Sequence, residues 1–326
     1  MKVFLGIDTS AYTTSLAAVD ENLQILADER MLLKVEKGKR GLRQSEALFL
    51  HIKNLPHLVA RLEPVLFKQT CALAVSTQPR NQENSYMPVF LAGSSLAESL
   101  ADFAQIPIYK VSHQEGHIMA GLQGKAELLA QPKFLAVHFS GGTSDILLVE
   151  NSQPGCFSVL SLSSSQDIHA GQLVDRVGVA MGLPFPAGTA LEQLAGHTFN
   201  NKEAAIPVAI NETGFSFSGA ETRALQMLKA GSSQEQVAAA VLGVIAKTLE
   251  KMLRRYIEEF MIKDVLLAGG VMANNLIAQR LRNRLEHPAV GARLHFAPPG
   301  LSTDNAVGTA MLAAVRYCYN DAEKAN

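Results

Sequence analysis

Short apolar runs with strand-like patterning begin the chain, and the same pattern returns about 130 residues later. Each set contains three runs separated by small or polar turn residues, which predicts two three-stranded meanders with tight connections. The first set is Val3–Ile7, Ser15–Val19 and Gln24–Lys34. The second set is Phe134–Phe139, Asp145–Glu150 and Cys156–Ser161. The repetition indicates a duplicated α/β fold with two halves of the same plan.

Longer segments with helical periodicity follow each meander and alternate with further apolar strands. The predicted helices are Glu46–Leu62, Pro88–Phe103, Asp175–Gly182, Ala190–Leu194, Gln234–Phe260, Asn275–Leu285 and a final helix from Thr303 to about Tyr319. The further predicted strands are Cys71–Thr77, Pro107–Ser112, Val265–Ala268 and Arg293–Ala297. In the first helix we expect Pro56 to kink or split the helix. Its apolar residues should lie near one face: Leu48, Ile52, Leu55, Val59 and Leu62.

Hydroxyl and glycine residues follow the first strand of each half. Thr9 and Ser10 form the first such turn, and the second is Phe139, Ser140, Gly141, Gly142 and Thr143. Glycine lets backbone N–H groups approach phosphate oxygens, and hydroxyls add donors. We place the two lobes at 1–125 and 126–326, with the final helix packed back on the first lobe, and expect them to close over a nucleotide.

A third glycine turn, Gly269 and Gly270, ends a buried strand and precedes the helix that begins after Asn274. The N-terminus of a helix can face an anion, and the Asn274 amide is available for hydrogen bonds. A tight turn explains a single Gly-Gly pair equally well. Asp175, which we expect to begin a helix, and Gly188, in a proline-rich turn, also have two interpretations: contacts to a nucleotide, or a helix cap and a turn.

His113 and His117 are four residues apart, so a helix would place both imidazoles on one face, about 6 Å apart. This spacing suits a shared metal ion, although histidines that only cap or pack a helix explain it equally well. Glu115 would project to the other side of the helix, which disfavours peptidase chemistry. Asp304 is either a helix cap or the carboxylate that completes a two-His, one-carboxylate site spanning both halves.

The hydrophobic content and the net charge of the chain limit the classes of protein to which it can belong. The chain has 326 residues, of which 48% are hydrophobic and 18% charged, with a formal net charge of -1. This balance argues against a protein that coats nucleic acid electrostatically, so any RNA contact has to be local. One basic loop could supply such a contact or simply be solvated: Lys37, Lys39, Arg40 and Arg43. We expect neither a secretory leader nor a membrane span, and therefore a cytoplasmic protein.

Seven motifs taken in order, GIDTS, HQEGH, FSGGT, LVDRVGVAMGLPFPAG, FSFSGAET, AGGVMANN and STDN, resemble those of the TsaD family along essentially the whole chain. That family was formerly called the O-sialoglycoprotein endopeptidases and lies within the actin-like ATPase superfamily. The resemblance implies duplicated actin-like ATPase domains of ribonuclease H-like topology, with two lobes around a nucleotide cleft.

The resemblance also implies an activity. Members bind ATP or threonylcarbamoyl-adenylate and transfer the threonylcarbamoyl group to N6 of adenosine 37 in tRNAs that read ANN codons, using bound iron or zinc. His113, His117 and Asp304 then correspond to the metal ligands. The nucleotide or adenylate contacts correspond to Phe139, Ser140, Gly141, Gly142, Thr143, Asp175, Gly188 and Asn274. Magnesium could accompany a bound ATP, and pairing with a second copy or with a related actin-like subunit is a further expectation.

Several residues depart from the family pattern. Ala11 and Tyr12 stand where an acidic turn is usual, Thr143 replaces the histidine of SGGH, and Glu221 replaces the lysine of SGLKT. These changes indicate a divergent paralogue. Three interpretations therefore stay open: the tRNA transferase itself, a paralogue that acts on another acceptor, and a non-catalytic partner subunit. A metalloprotease is the least favoured of the functions considered.

Overall fold

The computed structural model describes residues 1–10, 12–34, 42–81, 85–199 and 205–325. Four residues of the sequence analysis lie outside these ranges: Ala11, Lys37, Lys39 and Arg40. The chain forms two compact units. The first comprises Met1–Gln131, Asn151–Ser158 and Gly300–Asn326, and the second comprises Pro132–Glu150 and Val159–Pro299.

Strands and helices alternate along the chain in the order that the hydrophobic pattern predicts. The strands are β1 Val3–Asp8, β2 Thr13–Asp20, β3 Ile25–Leu32, β4 Thr70–Gln78, β5 Ile108–Ser112, β6 Lys133–Phe139, β7 Ser144–Gln153, β8 Cys156–Ser165, β9 Ala209–Ile210, β10 Gly214–Ser216, β11 Asp264–Ala268 and β12 Arg293–Phe296. The helices are α1 Gln44–Val59, α2 Pro64–Lys68, α3 Phe90–Ala104, α4 His113–Gly121, α5 Ala126–Leu129, α6 Ala170–Ala180, α7 Gly188–Ala195, α8 Ser218–Lys229, α9 Gln234–Phe260, α10 Asn275–Leu285 and α11 Val307–Ala325. Among the described residues, no helix is both long enough and apolar enough to cross a bilayer.

The first unit is a five-stranded sheet in the order β3-β2-β1-β4-β5. The strands β1, β2 and β3 pair antiparallel, while β4 pairs parallel with β1 and with β5. A Cβ added to Gly6 would meet the backbone of Ala310 in α11, whereas Ile7 contacts Gly93 in α3. Successive strand residues point to opposite faces, so α11 and α3 cover the two sides of β1. This explains why β1 is buried along its whole length.

The second unit is a seven-stranded sheet in the order β12-β11-β6-β7-β8-β10-β9. The strand β6 pairs antiparallel with β7 and parallel with β11, so a meander again lies beside a parallel strand. Its core also contains one face of α9, whose apolar positions recur at helical spacing over 27 residues. Both units therefore combine an antiparallel meander with parallel strands and helices.

The predicted strands of both meanders and all four further strands are confirmed within a few residues, and α9 and α10 have the predicted bounds. Three details differ from the prediction. Ile52, on the predicted apolar face of α1, is 54% exposed, and α1 is not split at Pro56 but continues to Val59. Asp175 lies inside α6, which begins at Ala170, because Gln172 reaches back to the backbone N–H of His169 and fixes the earlier start.

The C-terminal region differs from the prediction in where its helix begins. α11 starts at Val307 and not at Thr303, because the Asn305 side chain accepts a hydrogen bond from the Val307 N–H and holds the preceding residues outside the helix. The segment Phe215–Thr222, which contains the motif FSFSGAET, comprises β10 and the start of α8. Both of its phenylalanines are fully buried.

Close packing of two helices places α11 against α4. A Cβ added to Gly308 would lie 1.9 Å from the Gly116 carbonyl oxygen and 2.6 Å from the Ala120 amide nitrogen. Distances below about 3 Å require the backbones to separate, so only glycine permits this approach.

We therefore predict that Gly308→Ala lowers the free energy of unfolding by about 1–3 kcal/mol, because the added methyl group overpacks the contact between α4 and α11. Gly243→Ala is the matched control, since that glycine lies inside α9 with nothing within 4 Å of an added Cβ. Helix propensity predicts a gain of up to about 1 kcal/mol for the control. Urea unfolding measures both values, and equal stability of the two variants would contradict the packing described here.

Candidate metal centre and nucleotide-binding turns

The position of His113 is set by the cap of α4. The Ser112 hydroxyl accepts a hydrogen bond from the Glu115 N–H at 3.2 Å, and the Glu115 carboxylate accepts one from the Ser112 N–H at 2.7 Å. This reciprocal capping box begins the helix directly after β5. His113 is therefore the first helical residue, and His117 lies one turn later on the same face.

Three side-chain atoms converge in front of this face. The Nε2 atoms of His113 and His117 are 3.0 Å apart, and Oδ1 of Asp304 lies 3.6 Å from the first and 3.3 Å from the second. Ligands bound to one ion at about 2.1 Å, with angles of about 90–110°, are about 3.0–3.4 Å from one another. Two imidazoles and a carboxylate in this arrangement could hold a single divalent cation.

Asp304 reaches the histidines because the segment before α11 is fixed. The Asn305 amide donates hydrogen bonds to the carbonyl oxygens of Leu301 and Thr303. Arg30 donates to the Gly300 carbonyl oxygen and to the Thr303 hydroxyl. All three candidate ligands belong to the first compact unit. The predicted site spanned both halves, with Asp304 in the other half, and this was wrong because residues 300–326 belong to the first unit.

A buried carboxylate behind the cluster was not predicted as part of the site. Oδ1 of Asp8 lies 3.1 Å from Nδ1 of His113, on the opposite side of the ring from Asp304. Asp8 is fully buried, and its other oxygen accepts a hydrogen bond from the Ser10 hydroxyl at 2.6 Å. A carboxylate at Nδ1 keeps the proton on that nitrogen and leaves Nε2 to bind a cation. The available signal was the acidic residue in the otherwise apolar first strand.

The hydroxyls of the first predicted phosphate turn make internal contacts. The Thr9 hydroxyl donates to the Val89 carbonyl oxygen at 3.0 Å and accepts from the Gly93 N–H at 3.3 Å. The Ser10 hydroxyl donates to Asp8. Both residues are buried. In this structure they stabilise the turn and orient Asp8.

Glu115 has a structural role in α4. Its buried carboxylate accepts hydrogen bonds from the Ser112 N–H and hydroxyl and forms an ion pair with Arg316 of α11 at 2.8 Å. Arg316 also donates to the Gly155 carbonyl oxygen. Glu115 therefore joins the helix that carries the histidines to α11, which follows Asp304 in the chain.

The second glycine turn is a compact loop in the other unit. The Ser140 hydroxyl accepts hydrogen bonds from the N–H groups of Gly142 and Thr143, and the Ser140 N–H donates to the Thr143 carbonyl oxygen. A Cβ added to Gly171, at the start of α6, would lie 2.6 Å from the Gly141 nitrogen. The turn and the N-terminus of α6 are therefore packed directly against each other, while Gly141 and Gly142 themselves are exposed.

The third glycine turn lies beside the second. Gly269 has a φ of +97°, and an added Cβ would lie 2.2 Å from the carbonyl oxygen of Phe139, which is fully buried. Gly270 begins a 3-10 turn that leads to Asn274, whose side chain accepts from the Ile277 N–H and caps α10. The strands β6 and β11 therefore end together, with both glycine turns at the same edge of the sheet.

The remaining candidates occupy nearby helices of the same unit. The Asp175 carboxylate accepts a hydrogen bond from the Ala187 N–H at 2.8 Å and so fixes the turn that precedes Gly188, the first residue of α7. Glu221 forms an ion pair with Arg176 at 3.1 Å, so its negative charge is compensated within the unit. In the first unit, Arg43 is exposed immediately before α1.

The electrostatics of the metal-free cluster favour a charged His113. Burial lowers the pKa of this imidazole, but the carboxylates of Asp8 and Asp304 outweigh burial and raise the pKa to about 10. Burial raises the pKa of Asp8, yet His113 and the Ser10 hydroxyl bring it below its usual value. Burial likewise opposes ionisation of Asp304, and contacts to His113 and His117 lower its pKa. A cation bound between these residues would replace the proton on His113 Nε2.

We predict that Asp8→Asn lowers the pKa of His113 below the value of about 10 in metal-free protein, because it removes the carboxylate at Nδ1. Nuclear magnetic resonance of the imidazole Cε1–H signal over a pH series measures this change. The raised pKa implies that the ion pair stabilises the metal-free fold fully below about pH 6.5 and loses this effect as pH rises towards 10. An unchanged titration midpoint in Asp8→Asn would contradict the assignment.

Comparisons with known proteins find one family along most of the chain. Residues 85–311, which include all three candidate metal ligands, match the family model described as TsaD, tRNA N6-adenosine threonylcarbamoyltransferase. A protein with the same description from Campylobacter hominis is 30% identical over 99% of this chain and 95% of its own length. Another from Thermus thermophilus is 29% identical over 96% of this chain and 92% of its length.

Solved structures with low sequence identity share the fold. The crystal structure of T. kodakarensis HypF matches 98% of this chain and 48% of its own chain, with a TM-score of 0.60 and 15% identity. Component A of (R)-2-hydroxyglutaryl-CoA dehydratase from Acidaminococcus fermentans matches 98% of this chain and its whole length, with a TM-score of 0.55 and 15% identity. A ROK family glucokinase from Streptomyces griseus has a TM-score of 0.52 and 12% identity. These likenesses confirm the predicted actin-like ATPase fold.

Proposed function

The chain belongs to the TsaD family, and on this premise we propose that it transfers a threonylcarbamoyl group from threonylcarbamoyl-AMP to N6 of adenosine 37 in tRNA. The observation that carries the proposal is the convergence of His113, His117 and Asp304 within the region that the family model matches. Two imidazoles and one carboxylate leave open positions on a divalent cation, as a site that binds substrate requires.

His113, His117 and Asp304 would hold the cation, with iron or zinc as the candidates that suit this ligand set. When bound, such a cation supplies a Lewis acid that polarises a carbonyl or phosphoryl oxygen. Asp8 keeps the His113 ring in one orientation through Nδ1, and Glu115 holds α4 in place through Arg316. These contacts fix the ligand atoms before substrate binds, which reduces the reorganisation that binding would otherwise require.

The glycine turns of the second unit are the proposed adenylate site. Exposed Gly141 and Gly142 present backbone to solvent beside the N-terminus of α6, where the helix dipole favours an anion. We assign phosphate contacts to Ser140–Thr143 and to Gly269 and Gly270. These groups would also stabilise the AMP that leaves when the exocyclic amine of adenosine attacks the carbonyl carbon.

Ribose and base contacts are proposed for the residues that surround these turns. Asn274 caps α10 through its side-chain oxygen, which leaves its amide nitrogen to donate to a ligand. Asp175 positions the turn before Gly188, so both residues act on the same wall of the site. ATP itself is a further ligand, and it would bring Mg²⁺ with its phosphates.

The proposal also covers the acceptor of the transferred group, the cellular location of the protein and its protein partners. A tRNA acceptor places the protein in the cytoplasm, and exposed Arg43 with the neighbouring Lys39 and Arg40 is a proposed contact to RNA phosphates. Pairing with a second copy or with a related actin-like subunit is also proposed. The pair of Glu221 with Arg176 supports a working site despite the reversed charge, because the added carboxylate is neutralised by a neighbouring guanidinium.

We predict that the purified protein binds one equivalent of iron or zinc and transfers threonylcarbamoyl to tRNA, and that His113→Ala abolishes both. The physical reason is that two remaining ligands hold a divalent cation far more weakly than three. Metal analysis of purified protein and transfer of labelled threonylcarbamoyl to tRNA are the measurements.

His57→Ala is the matched control, because His57 is an exposed histidine in the last turn of α1. It should retain the metal and the activity of the natural sequence. Transfer that persists in metal-free protein, or metal retained by His113→Ala, would overturn the assignment of the site. Metal binding without transfer to any tRNA would overturn the activity and leave the metal site intact.

A further inference from the structure

Positive charge is concentrated in one part of the second unit. The whole chain has a formal net charge of -1, yet the segment from Lys247 to Arg293 contains nine Lys and Arg residues against five Asp and Glu residues. This segment comprises most of the C-terminal half of α9, then β11, α10 and β12. The remainder of the chain therefore has a net negative charge, and this segment carries an excess of positive charge that attracts a polyanion.

Three of these residues form a defined group, which we call the arginine cluster: Arg254, Arg280 and Arg284 around Glu250. The Glu250 carboxylate accepts hydrogen bonds from Arg280 Nη2 and from Arg284 Nε, both at 2.8 Å. Arg254 Nη2 donates to the Arg284 carbonyl oxygen at 3.2 Å, at the C-terminal end of α10. Glu250 thus holds two of the three guanidinium groups, and Arg254 is joined to them through the Arg284 carbonyl oxygen.

Burial differs sharply within the arginine cluster. The Glu250 side chain is 9% exposed, whereas the Arg284 side chain is 55% exposed. Burial raises the pKa of Glu250, but the two arginines outweigh it and keep the carboxylate charged. Arg284 contacts this carboxylate through Nε alone, so the contact does not use its two terminal nitrogens. Buried Glu250 therefore holds the guanidinium groups in place, and the exposed part of Arg284 leaves excess positive charge at the surface.

Two lysines extend the cluster along α9. Lys247, Lys251 and Arg254 are spaced by four and three residues, which places them in one row on the helix surface. Lys251 is exposed. The row and the arginine cluster together form a basic strip on α9 and α10. Glu250 is the acidic residue within the arginine cluster.

The strip lies within reach of the proposed adenylate site. α10 is capped by Asn274, and Arg284 follows ten residues later in the chain, a distance of about 15 Å along the helix. At about 3.4 Å per nucleotide, this corresponds to about four or five phosphates of a stacked strand. An RNA whose adenosine enters the site near Asn274 could therefore place neighbouring backbone on the strip.

We infer that the strip formed by Lys247, Lys251 and the arginine cluster binds the phosphate backbone of the RNA acceptor. The inference rests on the proposed function for the identity of the acceptor. Guanidinium groups bind phosphate oxygens through paired N–H donors, and lysines add point charges. Such contacts set affinity and orientation without reading base sequence. One arginine would suffice to neutralise the charge of Glu250. Ion pairing with Glu250 therefore does not account for three arginines in the cluster.

The test compares tRNA affinity by fluorescence anisotropy over a series of salt concentrations. Lys251→Gln combined with Arg284→Gln should lower the affinity about tenfold and reduce the slope of log K against log salt by about two. Lys247→Gln combined with Lys251→Gln leaves both Glu250 ion pairs intact and should produce a similar loss. The matched control is Arg61→Gln combined with Lys133→Gln, which removes two exposed cations that each pair with one acidic side chain.

Transfer to tRNA measured in parallel separates this inference from the proposed function. The strip variants should raise KM for tRNA and leave kcat unchanged, because the strip holds the acceptor but not the reacting atoms. Strip-dependent tRNA binding without transfer would support the strip and contradict the activity. Affinity and salt slope equal to those of the control would overturn the inference. Strip variants that bind tRNA normally but lose binding to vesicles of anionic lipid would overturn it as well.

Discussion

The packing of α11 against α4 is the contact on which the site depends. Asp304 is 187 positions beyond His117 in the sequence, and it reaches the histidines only because the C-terminal segment packs against the first unit. Gly308 permits the close approach of the two helix backbones. The ion pair between Glu115 of α4 and Arg316 of α11 also joins the two helices. Gly308 is buried and the ion pair is partly buried. Displacement of α11 would therefore expose apolar surface on β1 and separate Asp304 from the two histidines.

Two carboxylates, buried Asp8 and partly exposed Asp304, then determine what the site can bind. Asp8 on one side of the His113 ring and Asp304 on the other stabilise a positive charge between them, which in metal-free protein is a proton. A divalent cation would carry more charge in the same position and satisfy the two imidazole nitrogens that otherwise face each other at 3.0 Å. The second unit contributes a different element, namely two glycine turns at one edge of its sheet, and these turns are the proposed site for the phosphate of an adenylate.

The hydrophobic pattern along the chain predicted those features that depend mainly on residues close in sequence, namely the strands and helices. The order of the predicted strands and helices and the bounds of α9 follow from periodicity and capping residues. The spacing of His113 and His117 suits one face of a helix, but no helix was predicted over these residues. The metal trio was predicted with help from the family resemblance. By contrast, the role of Asp8 depends on its contact with His113, which is 105 positions away. That all three candidate ligands belong to one unit depends on where the last helix packs. Spacing along the chain encodes neither of these facts. The exposure of Ile52 and the internal contacts of Thr9 are likewise tertiary effects.

The central claim is that one divalent cation joins His113, His117 and Asp304. Anomalous diffraction at the absorption edge of iron or zinc, from crystals of protein purified from its own host, tests it most directly. The account predicts a single anomalous peak about 2.0–2.2 Å from both Nε2 atoms and from one Asp304 oxygen, with Asp8 still at Nδ1 of His113. A peak elsewhere in the molecule, with His113 and His117 still facing each other and no ion between them, would contradict it.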